Sequence, residues 1–121
     1  MSDFKRLKVW EKAHALTLRT YAVTRSLPRE ETYGLTSQMR RAAVSIGSNI
    51  AEGCGRNAKK EMGYFVRIAL GSTQELRYQF ILGRDLGWIP ESDYPSLEAG
   101  IDEVRAMLHA LHRGLGGGEK Q

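Results

Sequence analysis

Apolar positions recur at steps of three and four along most of the chain, and no segment alternates as a half-buried strand would. Val9, Ala13, Leu16, Thr20, Val23 and Leu27 form one seam, which predicts a first helix from about Phe4 to Ser26. Pro28 ends it, because the residue before a proline is pushed away from helical angles. Leu35, Met39, Ala42, Ile46, Asn49 and Gly53 predict a second helix from about Tyr33 to Cys54. Ala58, Met62, Phe65, Ala69, Ser72 and Leu76 predict a third, with Asn57 as its N-cap and Gly87 just past its end. Tyr94, Leu97, Ile101, Val104, Leu108, Leu111 and Leu115 predict a fourth from about Asp93 to Arg113. Ser92 is placed to cap it, and Pro95 is tolerated in its first turn. Short connections between four such helices predict an all-α fold: a single-domain, up-down-up-down antiparallel four-helix bundle over residues 1–115, with a flexible Gly-rich tail at 116–121.

Two helices carry a second apolar stripe. Leu7, Trp10, His14, Leu18 and Tyr21 lie to one side of the first seam, and Tyr64, Ile68, Gly71, Tyr78 and Leu82 flank the third. A surface helix of a monomer needs one buried face, so a second predicts contact with another subunit. Leu7, Trp10, His14, Leu18, Tyr21, Tyr64 and Tyr78 are the candidate oligomer interface. The alternative is a wide core face with Trp10 and Tyr21 half exposed.

A chain of 121 residues suits one domain with a self-sufficient core. The single cysteine, Cys54, cannot form an internal disulfide, which fits a reducing compartment. The opening MSDFKRLKVWEK is too charged for a signal peptide, and no apolar run approaches the roughly 20 residues that span a bilayer. A cytoplasmic protein is expected. The net charge of +4 is uneven: residues 1–67 carry 13 Lys/Arg against 6 Asp/Glu, and residues 68–121 carry 5 against 8. A basic half favours encounter with a polyanion; a solvated surface with compensating acids is the plainer account.

RRAAVSIGSNIAEGCGR, residues 40–56, concentrates small residues and two glycines. A phosphate-gripping loop needs a strand before the glycines and a helix after them, whereas here a helix comes first and no P-loop lysine follows. Gly53 and Gly55 are therefore expected to stop the helix by adopting positive backbone angles. Ala42, Ala43, Ser45, Gly47, Ser48 and Ala51 let neighbouring backbones approach, and Asn49 is placed to fix register. Gly47, costing about 1 kcal/mol against alanine in a helix interior, implies close packing or a bend.

This stretch, with YGLTSQ before it (33–38), IALGSTQEL (68–76) and LKVWEKA (7–13), resembles the four-helix-bundle proteins found in large-subunit ribosomal RNA intervening sequences. The resemblance covers about residues 4–115. Many such proteins carry proline where this chain has Gly47. The resemblance implies a cytosolic bundle assembled as a five-membered ring. More distant relatives, the accessory variability determinants of diversity-generating retroelements, are basic, bind nucleic acid and partner a reverse transcriptase. No reaction is established for the intervening-sequence branch, so the resemblance carries over no catalytic residues, cofactor or metal.

Lys5, Lys8, Lys12, Arg19, Arg40, Arg41, Arg56, Lys59 and Lys60 are the candidate nucleic-acid-binding cations, able to neutralise phosphates but without base-reading motifs. Lysine stems covering apolar surface are the alternative. Glu75 falls on the apolar side of the third helix, where a carboxylate needs a cation; Arg40 or Arg41 would complete a structural ion pair. A general base is the functional alternative for Glu75. His109 and His112 fit a solvent-facing pair near a helix C-terminus better than a metal site. His14 reads as a packed or interface histidine, and Cys54 as an inert thiol. The expected function is a non-enzymatic homo-oligomer, pentameric by resemblance, that binds RNA or DNA weakly. The alternative is a scaffold that engages another protein and has no nucleic-acid role; no membrane partner is expected.

Overall fold

Four long helices account for most of residues 3–116, the residues described in the computed structural model. They are α1 (Lys8–Val23), α2 (Leu35–Cys54), α3 (Lys59–Asp85) and α4 (Tyr94–Gly114). Three-residue 3-10 turns at Phe4–Arg6 and Thr24–Ser26 tighten the two ends of α1, and another at Arg29–Glu31 precedes α2. Among the described residues there is no strand. The predicted tail, apart from Gly116, lies outside the described residues.

Contacts along each neighbouring pair run in opposite directions. Trp10 lies beside Gly47, and Arg40 reaches back to Thr24. Gly53 meets Met62, and Ser45 hydrogen-bonds Ser72 at 2.7 Å. Gly63 faces His112, and Arg77 bridges to Glu98 and Asp102. Lys12 pairs with Glu103, and Arg19 donates to Ser96 Oγ. The helices therefore close a square in chain order, each antiparallel to its neighbours.

The predicted seams meet inside that square. Leu16, Met39, Ile46, Ile50, Leu76, Phe80, Ile101 and Leu108 are buried, as are Val9, Ala13, Leu97 and Val104 around them. Each of these side chains larger than alanine contributes about 1.5–3 kcal/mol through removal from water. Thr20, Thr24 and Thr73 also enter the core, because each hydroxyl donates to the carbonyl four residues earlier at 2.8 Å. Asn49 donates to the Ser45 carbonyl and hydroxyl, and Ser45 carries that chain across to Ser72. The register contact expected of Asn49 thus passes through a serine.

The helix ends differ from the sequence expectation. Asn57 does not cap α3; its N-cap position is Ala58, which has no side-chain acceptor. Ser92 does not cap α4, whose N-cap position is Asp93, again without a side-chain bond. At α2 the distant Glu31 does the capping, its Oε1 accepting from Leu35 N at 2.9 Å. Gly53 and Gly55 need no positive backbone angle: Gly53 is helical, and Gly55 has φ −79°. Gly53 is required by contact instead, since a Cβ there would lie 3.0 Å from Met62 Sδ and 3.2 Å from Phe65 Cβ.

Gly87 does take the left-handed conformation, with φ +78°. Its N–H bonds the Arg84 carbonyl and the Trp88 N–H bonds the Gly83 carbonyl, each at 2.9 Å, closing α3 in a Schellman motif. Gly87→Ala is expected to lower stability by about 1–2 kcal/mol, the left-handed cost of a Cβ, and Gly87→Asn by less. Urea denaturation midpoints should rank Gly above Asn above Ala; an Ala variant matching the parent would contradict this assignment.

Candidate functional site

The nine candidate cations do not form one surface. Lys12 Nζ lies 3.4 Å from Glu103 Oε2, and Lys8 lies 3.8 Å from Glu11. Arg19 donates to Ser96 Oγ at 2.7 Å. Arg40 donates from Nε to Thr24 Oγ1 at 2.9 Å, and its guanidinium covers the Tyr21 ring at 4.6 Å. Arg56 pairs with Glu52 at 2.6 Å and covers the Phe65 ring at 5.1 Å. Lys5 and Arg41 are exposed. Antiparallel folding sets the cations of α1 against the acids of α4, so part of the charge asymmetry along the chain is spent on helix pairing.

The expected ion pair of Glu75 with Arg40 or Arg41 is not formed. Glu75 is exposed, and its one contact of this kind is with Gln79 Nε2, at 3.5 Å. The stripe that placed it on an apolar side, through Ile68 and Tyr78, itself faces outward. Arg41 and Glu75 line one polar groove of about 270 Å³ between α2 and α3, with Ser45 and Ser72 at its floor. Arg77, which sequence reasoning passed over, makes the interhelical pairs instead, reaching both Glu98 and Asp102. Its partners are four residues apart on α4, a spacing visible in the sequence.

The candidate interface residues divide into three groups. Leu7 and Trp10 pack half-buried against the core. Trp10 stacks on the exposed His14 at 4.9 Å and 6°, over Gly47, where a Cβ would lie 3.4 Å from its Nε1. Leu18 and Tyr21 are exposed on α1, with Tyr21 beneath the Arg40 guanidinium of α2. Tyr64 and Tyr78 are exposed on the outer side of α3 with Ile68 between them. Trp10 is therefore largely an intrachain contact, and Leu18, Tyr64 and Tyr78 remain uncovered.

Several cations lack a carboxylate partner among the described residues, Lys5, Arg25, Arg29, Arg41 and Arg113 among them, and three more cluster where α2 passes into α3. Among the described residues, Lys59, Lys60 and Arg67 have no carboxylate within salt-bridge distance. Two open grooves meet along them. One, of about 630 Å³, is lined by Arg56, Lys60, Glu61, Tyr64, Phe65 and Arg67. The other, of about 570 Å³, is lined by Lys59, Lys60, Gly63, Arg67, His112 and Leu115. His109 is exposed, but His112 turns in towards Gly63 and its Nε2 is buried without a hydrogen-bond partner. The solvent-facing histidine pair expected from the sequence is thus split. Arg67 was also missed, although Lys60, Tyr64 and Arg67 fall at i, i+4 and i+7 on one face of α3. No cluster of three metal-binding side chains occurs among the described residues, and no described helix is long and apolar enough to cross a membrane.

The family of the 23S rRNA-intervening sequence protein matches residues 5–110. The chain belongs to that family. The crystal structure of a protein with unknown function from the S23 ribosomal protein family of Bacteroides thetaiotaomicron has a TM-score of 0.79 to it. The two are 21% identical, and the match covers 87% of this chain and 95% of that one, so the likeness is one of fold. No curated protein matches the chain.

Within this intervening-sequence protein, Cys54 sits in the core at the end of α2. Burial raises its thiol pKa above the ordinary value. The neutral thiol is the form the fold favours. Any stability it contributes is present below the unfolded pKa and lost as pH rises through the higher folded value. A disulfide reagent such as Ellman's is expected to label native protein slowly at pH 8 and urea-unfolded protein at once; equal rates would place the thiol outside the core.

Proposed function

We propose that the protein is a non-enzymatic, cytoplasmic bundle that self-associates into a five-membered ring and binds nucleic acid weakly and without sequence preference. The observation that carries this reading is the apolar surface left outside a well-filled core: Leu18 is 58% exposed and Tyr78 61%. These residues lie in two different patches, one on the exposed side of α1 and one on the outer face of α3. A ring with an odd number of subunits needs a heterologous contact between two unlike patches, and this protomer carries two. The resemblance to ring-forming bundle proteins supports the same count.

Support for nucleic acid comes from the net charge of +4 and from the unpaired cations at the α2–α3 end. Phosphate neutralisation gives affinity without reading bases. The non-enzymatic reading rests on how the polar side chains are used: the threonines bond their own helices, Arg40 and Arg77 join helices, and Cys54 is buried. A second reading, a protein-binding scaffold without a nucleic-acid role, is favoured by the apolar groove of about 370 Å³ that Phe4, Trp10, His14 and Val44 line between α1 and α2.

Sedimentation equilibrium at micromolar concentration is expected to give a mass several times the 13.6 kDa protomer. Leu18→Glu and Tyr78→Glu, both at exposed positions, should return it to the protomer without unfolding. A single 13.6 kDa species for the parent protein would overturn self-association. Binding to labelled oligonucleotides should weaken steeply with salt; no binding at the lowest salt, with assembly intact, favours the scaffold instead.

A further inference from the structure

We propose that the paired grooves at the α2–α3 end form a site for single-stranded nucleic acid, in which Tyr64 stacks a base while Lys59, Lys60 and Arg67 hold the adjoining phosphates. This rests on the nucleic-acid reading above and assigns it to one place on the molecule. Lys60 and Arg67 line both grooves, so they form a cationic ridge between them. Glu61 is the one carboxylate lining either groove. Self-repulsion among the three unpaired cations is relieved by an anion lying along the ridge.

Two further groups point the same way. The N-cap position of α3, Ala58, offers no capping oxygen, so the first turn carries the positive end of the helix dipole without a side-chain cap, beside Lys59 and Lys60. His112 lines the second groove beside Gly63, which has no side chain to fill the space there, and its unpartnered Nε2 is buried.

The aromatic member separates a polynucleotide from a free phosphate or an acidic peptide. Tyr64 is 52% exposed, yet its ring is held edge-on to Phe65 at 5.1 Å and 80°. Arg56 covers Phe65 in turn at 5.1 Å and is fixed by Glu52. Tyr64 therefore presents an open face at a set orientation beside the cationic ridge, which is the arrangement that stacks an unpaired base. A duplex hides its base faces and can use the cations alone.

The test is fluorescence anisotropy at low salt with single-stranded RNA and DNA probes of about 12 nucleotides, a typical single-strand site size, and with a duplex of the same sequence. Tyr64→Leu is expected to weaken single-strand binding roughly 5- to 150-fold, the range for one stacked base, while leaving the duplex affinity unchanged. Tyr64→Phe, which keeps the ring, should restore it, and Lys60→Glu with Arg67→Glu should weaken both kinds of probe. Single-strand binding that Tyr64→Leu leaves at the parent level overturns the stacking site. Binding lost only when Lys5, Lys8 and Lys12 are changed to Glu overturns the groove but leaves the general nucleic-acid reading intact. No binding of any probe by the parent protein overturns both. Sedimentation of Tyr64→Leu completes the test: a fall to protomer mass together with lost binding assigns Tyr64 to the subunit contact and overturns the groove.

Discussion

The close approach of α2 to α3 is the constraint on which the rest of the molecule depends. Gly53 lets the α2 backbone reach Met62 and Phe65, and the Ser45–Ser72 hydrogen bond holds the same helices together further along. Small residues here do what leucines do elsewhere in the bundle: they set the distance between two helix axes, and so the width of everything built on both. With Gly53 seated against α3, Arg56 arrives directly over Phe65, and Phe65 turns Tyr64 outward beside Lys60. The open grooves at this end are a consequence of packing one turn earlier in the chain.

Charge follows from the same geometry. The surplus of cations in the first half of the chain suggests a basic side, but an antiparallel bundle lays each half against the other. Lys12 meets Glu103, and Arg19 meets Ser96. Surface pairs of this kind are each worth about 0–1 kcal/mol, so they set helix register more than stability. The surplus remains free where the local partners are too few, as at the turn from α2 into α3. Net charge is a property of the sequence, whereas an anion-binding surface is a property of what the fold leaves unpaired.

The four seams and their helices were legible because burial against a common core imposes a strict three–four period, and Leu97 through Leu108 satisfy it without exception. The ends were harder. Gly87 could be read, since a left-handed residue after a helix calls for glycine. Ala58 could not be preferred over Asn57 as the N-cap position, because the capping energy that favours asparagine is smaller than the packing that fixes where α3 begins. Glu75 shows the same limit: a stripe of apolar neighbours says that residues share a face, but not whether that face is buried. Only the placement of α2 and α4 decides that Ile68, Glu75 and Tyr78 look outward. The spacing of Lys60, Tyr64 and Arg67 was present in the sequence, but it acquires meaning once Arg67 is found without a carboxylate and His112 is found across from Gly63.

Self-association and the basic grooves bear on each other through symmetry. In a cyclic assembly every copy is related by rotation about one axis, so equivalent sites lie at one height around that axis. The α2–α3 ends of all protomers would then form a single belt of cationic grooves, each with its exposed tyrosine. A strand held in one groove meets the next at a high effective concentration, and modest individual affinities combine without any new contact. That relation gives a physical reason for a protomer to keep both features. If the apolar patches place copies side by side as proposed, a site too weak to hold a strand alone would become sufficient when repeated along it.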